Sequence, residues 1–273
     1  MNYSIENLHN VYINTISEYN LSPLAVDGGY IGEPTKDKFD ELIECVNGLN
    51  KDSIFLDVGT GMGIAPRFIN NLGINTYTLD NPSTGGDGLQ NASLAGIKCL
   101  QCDILSDSIP LPDNSVDCIL FADVIEHLVH SPKFALLEFM RILKPSGIVV
   151  ATTPNALRIS VRIKALLGYS NWPYIGDYFE HVYHGGHHHE YTVDEFSYVF
   201  QQTGFRIEKF ILSGTVTSVK IDLLSKIQSR SRAGKLSVAK THPLITLGKL
   251  PIFILEQLFK SLRPQMLLVA RKS

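Results

Sequence analysis

One short stretch constrains the fold more than any other: the apolar run 54–58 and the glycine-rich turn 59–63 that follows it. The run reads Ile-Phe-Leu-Asp-Val and is rich in strand formers, and the turn reads Gly-Thr-Gly-Met-Gly. This order predicts a buried parallel strand, a tight loop and a helix that begins near Ile64. Glycine suits such a loop because a Cβ would keep a ligand away from the backbone, and because these turns often visit positive φ. Asp57 ends the strand, where open α/β sheets place their ligands.

The spacing of the glycines separates two kinds of cofactor loop. A dinucleotide-binding loop, G-x-G-x-x-G, would place its third glycine at position 64, which is isoleucine. Here the third glycine is Gly63, so the pattern is D-x-G-x-G-x-G beginning at Asp57. For this motif alone, the alternative is a glycine turn that only lets a helix pack closely against a strand.

Hydrophobic periodicity predicts helices and strands that alternate around this turn. The predicted helices are 36–46, one beginning near 64 and one at 133–143, and the predicted strands are 54–58, 74–79, 97–104, 116–122, 148–152, 205–213 and 265–271. Strands that alternate with helices at this pitch form a parallel sheet with crossover helices. Pro66 falls in the first turn of its helix, and Gly73 is a suitable stop.

Length and composition limit the classes of protein that the chain can represent. Its 273 residues suffice for one sizeable α/β core, and a formal charge of −3 argues against a generally basic nucleic-acid binder. We expect neither a signal peptide nor a membrane span, because the most apolar run, near residues 250–258, is too short. Cys99 and Cys102 have no second pair to complete a zinc site, which favours free thiols in a reducing cytoplasm.

Further acidic residues follow the next two predicted strands. Asp80 lies 23 residues after Asp57, where a carboxylate can accept two hydrogen bonds from a ribose diol. Asp103 could hold an adenine amino group. Taken singly, each is equally well explained as a solvated turn residue.

A series of motifs then follows in a fixed order. It runs through Ile-Pro-Leu-Pro-Asp-Asn-Ser-Val-Asp at 109–117, Asp-Val-Ile-Glu-His-Leu at 123–128, Arg-Ile-Leu-Lys-Pro-Ser-Gly at 141–147 and Thr-Thr-Pro-Asn at 152–155. With the glycine turn, the series resembles the class I S-adenosylmethionine (SAM)-dependent methyltransferases over about residues 37–213. The resemblance is to a bacterial branch that includes ubiquinone-pathway and polysaccharide-cluster O-methyltransferases.

The resemblance implies an α/β fold: a Rossmann-like, seven-stranded, mostly parallel sheet with helices on both faces and an antiparallel last strand. SAM is then the cofactor and S-adenosylhomocysteine the product. The residues implied to bind it are Asp57, Gly59, Thr60, Gly61, Gly63, Asp80, Asn81, Asp103, Ile104 and Ala122.

The predicted domain organisation has three parts. Residues 1–36 form a segment that covers the cofactor site, 37–213 and 264–273 form the core, and 214–263 form a helical insertion or lid. Residues 220–240 carry six basic side chains against one acidic, and residues 244–262 are apolar. A solvated helix followed by a core or dimer helix is the favoured interpretation. An acceptor lid, or a peripheral contact with an anionic membrane surface, is the alternative.

Two histidine-bearing stretches are the candidates for catalysis. If a helix begins after the fourth strand, Asp123, Glu126 and His127 share one of its faces. The second stretch, residues 183–192, contains His187 and precedes a helix whose start is fixed by a capping box of Thr192 with Glu195. Long irregular loops of this kind are frequently functional.

The two stretches together resemble the metal site of small-RNA 2′-O-methyltransferases. The metal ligands implied by that resemblance are Asp123, Glu126, His127 and His187, with Asp123 standing where the motif has a longer glutamate. A divalent ion there would bind two neighbouring hydroxyls and lower the pKa of one. Two interpretations remain open beside it: His187 or His127 acts as a metal-free general base oriented by a carboxylate, or Glu126 and His127 only brace the helix.

For the acceptor we expect a small polar molecule, a sugar hydroxyl in a nucleotide sugar or a lipid-linked glycan. Aromatic faces with polar tips suit sugar rings, and the loop before the second histidine stretch carries Trp172, Tyr174, Tyr178 and Tyr183. A phenolic quinone precursor is the alternative, and RNA is disfavoured by the acidic net charge. A SAM-binding partner protein without catalysis is the non-enzymatic alternative. A homodimer is left open.

Overall fold

The computed structural model describes residues 3–20, 36–81, 83, 86–168, 179, 186–214 and 258–273. Its helices are α1 (Ile5–Asn20), α2 (Lys36–Val46), α3 (Ile64–Asn71), α4 (Gly86–Leu94), α5 (Lys133–Ile142), α6 (Ile159–Leu166) and α7 (Val193–Gln202). Its strands are β1 (Ile54–Val58), β2 (Asn75–Asp80), β3 (Lys98–Gln101), β4 (Val116–Ala122), β5 (Leu143–Pro154), β6 (Phe205–Ser213) and β7 (Gln265–Lys272).

The seven strands form one sheet in the order β3-β2-β1-β4-β5-β7-β6. Strands β1 to β5 pair in parallel, with Asp57 of β1 beside Leu120 of β4, and the last strand is antiparallel. Strands β1 and β4 are apolar and almost wholly buried because helices cover parallel sheets on both faces. The predicted Rossmann-like fold is confirmed. The strand order reverses between β1 and β4, which is where such sheets bind ligands.

Helix α1 was not predicted from the sequence. It packs against helices α2 and α3, as the contacts of Tyr12 show. Its buried residues recur every three or four positions, as an amphipathic helix requires. Tyr12 stacks on Phe39 of α2 at 5.4 Å between ring centroids and meets Phe68 of α3 edge-on at 5.9 Å. The segment between α1 and α2 lies outside the described residues, so its predicted role over the cofactor site stays a prediction.

Two strands differ from the prediction by three residues or more. Strand β3 is only 98–101, rather than 97–104, because the Asp103 carboxylate accepts a hydrogen bond from Leu105 N and turns the chain. Strand β5 begins earlier than predicted, at Leu143. Leu143 pairs with Val116 of β4, and the register then shifts before Ile148 pairs with Cys118. Ser146, between the two pairs, has φ 66°, so the strand contains a bulge there.

The chain divides into two compact units. The first comprises 1–154, 185–211 and 266–273, and the second comprises 155–184 and 212–265. In the second unit the Asn155 amide donates to Ser261 O at 3.0 Å and Arg263 O at 2.9 Å, which ties its two segments together. Most of the predicted insertion 214–263 lies outside the described residues. None of the described helices has both the length and the apolar character needed to cross a bilayer.

Candidate functional site

The glycine turn after β1 has the backbone that its sequence predicts. Gly59, Gly61 and Gly63 have φ of 85°, 52° and 78°, all in the left-handed region where side chains are disfavoured. Gly59 N donates to Leu79 O at 2.8 Å, which holds the turn against β2. Gly63 is the N-cap of α3, so the turn delivers the chain directly into that helix.

Neighbouring segments hold this turn on two sides. A Cβ added at Gly59 would lie 2.3 Å from Val124 Cγ2, and one added at Gly88 of α4 would lie 1.9 Å from Gly61 O. A Cβ at Gly61 would instead meet only Gly59 O, at 3.9 Å. The turn is therefore clamped between α4 and the segment after β4. Among the described residues no side chain covers Gly61, so a ligand can approach the backbone there.

Asp57 lies beneath the turn and is fully buried. Its Oδ2 accepts a hydrogen bond from Thr78 Oγ1 at 3.1 Å, and the Thr78 hydroxyl also contacts the Thr60 hydroxyl at 2.7 Å. Burial raises the pKa of Asp57 to about 8, although the Thr78 hydrogen bond lowers it. Asp57 is therefore connected to the turn through two hydroxyl groups.

The predicted nucleoside-binding residues follow β2 and β3. Asp80 is the last residue of β2. Its half-buried carboxylate accepts a hydrogen bond from Asn81 N at 2.8 Å. Burial raises the pKa of Asp80, against the lowering effect of backbone amides that include those of Thr60 and Gly61. Cys102 N donates to Asp80 O, which keeps the Asp103 segment beside the end of β2. Ile104 is buried, and Ala122 is the last residue of β4.

Asp123 directly follows β4 and has a left-handed backbone, with φ 53°. Its carboxylate forms an ion pair of 2.6 Å with Lys38 of α2, which also lies 3.3 Å from Glu41. Burial lowers the pKa of Lys38, but the carboxylates of Glu41 and Asp123 raise it above its usual value. Lys38 was not singled out from the sequence, because a lone lysine on an amphipathic helix is normally a solvent-facing residue.

A single 3₁₀ turn, Ile125–His127, replaces the α-helix that was expected after β4. It buries Glu126 completely, and Thr153 Oγ1 of β5 donates to Glu126 Oε2 at 3.0 Å. Within the described part of the chain Glu126 Oε1 has no hydrogen-bond partner. Burial and the nearby Asp123 carboxylate raise the pKa of Glu126 to about 7. A buried carboxylate oxygen without a partner is costly unless a ligand satisfies it.

Two imidazoles, those of His127 and His187, lie beside Glu126. His127 and His187 meet edge-on at 4.9 Å between centroids. His127 Nδ1 lies 3.2 Å from Gly186 O, and His187 Nδ1 lies 2.9 Å from Glu190 Oε1. Because a carbonyl and a carboxylate accept hydrogen bonds, these contacts place the ring protons on Nδ1 and leave Nε2 as the basic atom.

Glu126, His127 and His187 form one group, hereafter the Glu–His–His cluster. One potential ligand atom from each residue lies within 4.8 Å of the others. The histidine loop is held in place by its backbone, since His188 N and His189 N donate to Glu126 O at 2.7 and 3.2 Å. Asp123 lies outside the cluster, in its ion pair with Lys38.

A groove of about 370 Å³ opens on α7 next to this loop. The residues that line it are His189, Tyr191, Asp194, Glu195, Tyr198 and Val199. Tyr198 is largely exposed, and the rings of His189 and Tyr191 meet edge-on at 4.6 Å. The predicted capping box starts α7, with Thr192 and Glu195 bonded reciprocally. The predicted aromatic residues Trp172, Tyr174, Tyr178 and Tyr183 lie outside the described residues.

Residues 56–151 match the family model of a methyltransferase domain. A probable S-adenosylmethionine-dependent methyltransferase from Mycolicibacterium smegmatis is 42% identical over 52 residues, which is 19% of this chain and 20% of that protein. The probable methyltransferase PMT4 from Arabidopsis thaliana is 28% identical over 138 residues, 48% of this chain and 23% of that protein. The aligned segments thus span about a fifth of these relatives' length.

A solved structure resembles most of the chain. A SAM-dependent methyltransferase from Archaeoglobus fulgidus superimposes with a TM-score of 0.55 at 16% identity, covering 86% of this chain and 92% of that one. Similarity at this identity concerns the fold. The family match covers β1, the glycine turn and β4, which are the elements that build the turn described above.

Proposed function

The chain carries a class I SAM-dependent methyltransferase domain, and we propose that it transfers the methyl group of SAM to a hydroxyl group of a small polar acceptor. The observation that supports this choice is the Glu–His–His cluster beside the segment that follows β4. A hydroxyl nucleophile must lose a proton during transfer, and the cluster supplies basic groups for that purpose.

The residues of the glycine turn fit SAM. The backbone is open above Gly61, as a ligand that lies against it requires, and Asp80 ends the adjacent strand with a half-buried carboxylate. SAM supplies a methyl group on a positively charged sulfur. In the transfer a carbon–sulfur bond breaks and a carbon–oxygen bond forms, the sulfur becomes a neutral thioether, and the hydroxyl proton passes to a base of the protein.

His187 is the residue best suited to take that proton. Its Nδ1–H donates to Glu190, which fixes the ring and stabilises the imidazolium that forms, while Nε2 remains basic. His127 has the same tautomer through Gly186 O and lies against His187. The reaction otherwise depends on alignment of oxygen, methyl and sulfur, to which orientation contributes more than covalent chemistry.

The same cluster also suits a divalent metal ion. Metal-bound histidines usually donate their second ring nitrogen to a carbonyl or carboxylate, as His127 and His187 do. The partnerless Glu126 Oε1 would be the third protein ligand. A bound ion would supply positive charge that favours loss of the acceptor proton. Ligation by nitrogen favours Mn²⁺, Fe²⁺ or Zn²⁺ as much as Mg²⁺.

For the acceptor, a sugar hydroxyl agrees best with the groove on α7. The groove is lined by the rings of His189, Tyr191 and Tyr198, and aromatic rings can stack on the apolar face of a sugar ring. The acidic net charge disfavours RNA, which needs a basic surface. A catechol-type phenol could use the same base, so acceptor classes must be compared directly.

The test is transfer of labelled methyl from SAM to a panel of nucleotide sugars, catechol-type phenols and short RNA, with and without EDTA. Labelling of sugars that EDTA abolishes and Mn²⁺ restores supports both the acceptor and the metal. Labelling of sugars that EDTA leaves unchanged contradicts the metal and retains His187 as base. Labelling of phenols or RNA alone contradicts the sugar acceptor. Binding of SAM without labelling of any acceptor class contradicts the proposed acceptor panel and favours a SAM-binding partner protein.

A further inference from the structure

The charges of the chain are divided unequally between its two compact units. The second unit, residues 155–184 and 212–265, contains 12 of the 24 lysines and arginines but only 4 of the 27 acidic residues. Its formal charge is therefore +8, and that of the remaining residues is −11. The acidic net charge of the whole chain thus conceals a strongly basic unit, and such a unit attracts anionic partners.

The second unit also exposes apolar side chains. Of the 13 large hydrophobic residues that are exposed in the described part of the chain, six belong to this unit, although it supplies only 26 of the 194 described residues. The six are Leu157, Leu166, Leu167, Phe179, Leu258 and Phe259. Single exposed hydrophobic residues are common on protein surfaces, but a concentration of them marks an interaction surface.

The last turn of α6 contains the most exposed of these residues. Leu166 is 87% exposed and Leu167 is 56% exposed. Ile159, at the start of the helix, is buried, and Leu166 follows it by seven residues, so the apolar stripe that anchors the start of α6 continues onto an exposed tip. The tip is nonetheless well formed, because Leu167 N donates to Ile163 O and Gly168 ends the helix with φ 76°.

Basic side chains accompany this tip. Arg162 and Lys164 both lie on α6 and are exposed. Arg162 precedes Leu166 by four residues, so the two side chains share a face of the helix. The tip of α6 therefore presents leucine and positive charge together.

A second exposed segment of the same unit has the same composition. Leu258 and Phe259 are 69% and 56% exposed, and Lys260 follows them directly. The Asn155 amide holds this segment beside the chain that leads into α6, through its bonds to the carbonyl groups of Ser261 and Arg263. Neither 155–168 nor 258–265 contains an acidic residue.

Exposed leucine and phenylalanine beside lysine and arginine suit a bilayer with anionic lipids. A nucleic acid would also be attracted by the basic charge, but it is bound through phosphate contacts and aromatic stacking and gains nothing from leucine. We propose that the second unit binds the surface of an anionic lipid bilayer. The tip of α6 and residues 258–259 enter the headgroup region, and the neighbouring basic side chains contact lipid phosphates. This binding does not depend on which acceptor receives the methyl group.

Sedimentation of the full chain with lipid vesicles tests the proposal. We expect binding to vesicles of phosphatidylcholine with phosphatidylglycerol, and weaker binding when the salt concentration is raised, because salt screens exposed charges. Vesicles of phosphatidylcholine alone should bind little of the protein, because they lack the negative surface charge.

The apolar contribution is measured with Leu166→Ser combined with Leu167→Ser. This variant should bind the anionic vesicles about tenfold more weakly, since even half-burial of two leucine side chains in lipid contributes about that factor. The matched control is Ile5→Ser combined with Leu94→Ser, which removes two exposed apolar side chains from the first unit. The control should bind as the wild type does.

The charge contribution is measured with Lys164→Gln combined with Lys260→Gln. Each basic side chain near an anionic surface contributes about fivefold, so this variant should bind about tenfold or more weakly at low salt and lose less at high salt. Lys51→Gln combined with Lys133→Gln removes two exposed lysines from the first unit and causes the same change in net charge. It should have little effect. Melting curves establish that each variant is folded, and the lysine variants leave the apolar packing untouched.

Three results would overturn the inference. The first is a wild-type chain that binds neither kind of vesicle. The second is equal weakening by the control variants, which would mean that the second unit has no special part in binding. The third is tighter binding of a short RNA than of anionic vesicles, unaffected by the leucine substitutions, which would assign the basic charge to nucleic acid instead.

Discussion

The glycine turn and the Glu–His–His cluster both lie at the carboxyl edge of the sheet, but they are built in different ways. The turn consists of consecutive residues, 59–63, and its geometry depends on backbone dihedral angles and close packing against Val124 and Gly88. The cluster joins side chains that are about 60 residues apart. It depends on a hydrogen bond donated by Thr153 and on hydrogen bonds accepted by Gly186 O and Glu190. The difference suggests that substitutions in the turn change ligand binding, whereas substitutions in the cluster change the rate of transfer.

The largest expected effect is the loss of methyl transfer in His187→Ala, which should leave ligand binding at the glycine turn unchanged. His187→Ala removes the proposed base, so the rate of methyl transfer should fall by about 10²–10⁴, the usual range for general-base catalysis. The dissociation constant of S-adenosylhomocysteine should stay within a factor of two of the wild-type value. Single-turnover transfer and calorimetric binding measure the two quantities. A matching loss of affinity would show that the regions are not independent.

Within the turn, alanine at Gly59 should lower stability and ligand affinity more than alanine at Gly61. Alanine at Gly59 and alanine at Gly61 share the cost of a left-handed backbone position, about 1–3 kcal/mol, but only Gly59→Ala also places a methyl group against Val124. We expect weaker binding of S-adenosylhomocysteine and a lower melting temperature. Gly61→Ala is the matched control, because its Cβ meets only Gly59 O at 3.9 Å. Equal melting temperatures for the two variants would contradict the clamped geometry.

Glu190 should act through His187 rather than on the acceptor itself. Glu190→Gln keeps an acceptor for His187 Nδ1–H but removes the negative charge, so we expect a loss of about tenfold in kcat with little change in KM. Glu190→Ala should lose more, because the ring is no longer oriented. If both variants had equal rates, the carboxylate would have no positioning role. The pH dependence of the rate is the second readout, because a merely structural role for Glu190 would leave that dependence unchanged.

The smallest effect concerns the stability of the cofactor-free protein. Burial raises the pKa of Asp57 to about 8 from the ordinary aspartate value of 3.8, so the folded state favours the protonated carboxyl group. Its contribution to the free energy of unfolding is fully present below pH 4 and is lost as the pH rises towards 8. The melting temperature of Asp57→Asn should therefore decrease less between pH 5 and pH 8.5 than the melting temperature of the wild type does. Asp80 and Glu126 also have raised pKa values and remain in both proteins, so the difference isolates Asp57.

Much of the first region was predictable because its signals are local. Alternate glycines at positive φ, the buried run before them and Asp80 after the next strand all follow from short-range pattern, and the structure reproduces them. The capping box at Thr192 was predictable for the same reason. Helix α1 was missed although its buried residues Leu8, Tyr12, Ile16 and Tyr19 recur at helical spacing; only its packing against distant partners such as Phe68 has no local signal.

The second region was predictable only in its residue types. The sequence favoured Glu126, His127 and His187 as a group and placed Asp123 with them through an assumed α-helix. The chain instead forms a 3₁₀ turn after Asp123. Asp123 has a left-handed backbone, and its carboxylate pairs with Lys38. A bond between residues 85 apart has no local signature, so neither Lys38 nor the support from Thr153 could be inferred from spacing.

The sequence by itself determined the sheet, the glycine turn and the set of polar side chains at the strand ends, because periodicity and backbone preference act between near neighbours. Only the tertiary structure decided which of those side chains meet. It buried Glu126 Oε1 where no described residue bonds to it, fixed both imidazole tautomers through Gly186 and Glu190, and paired Asp123 with Lys38. Hydrogen bonds and ion pairs act only over a few ångströms, so they depend on where the whole fold brings distant residues together.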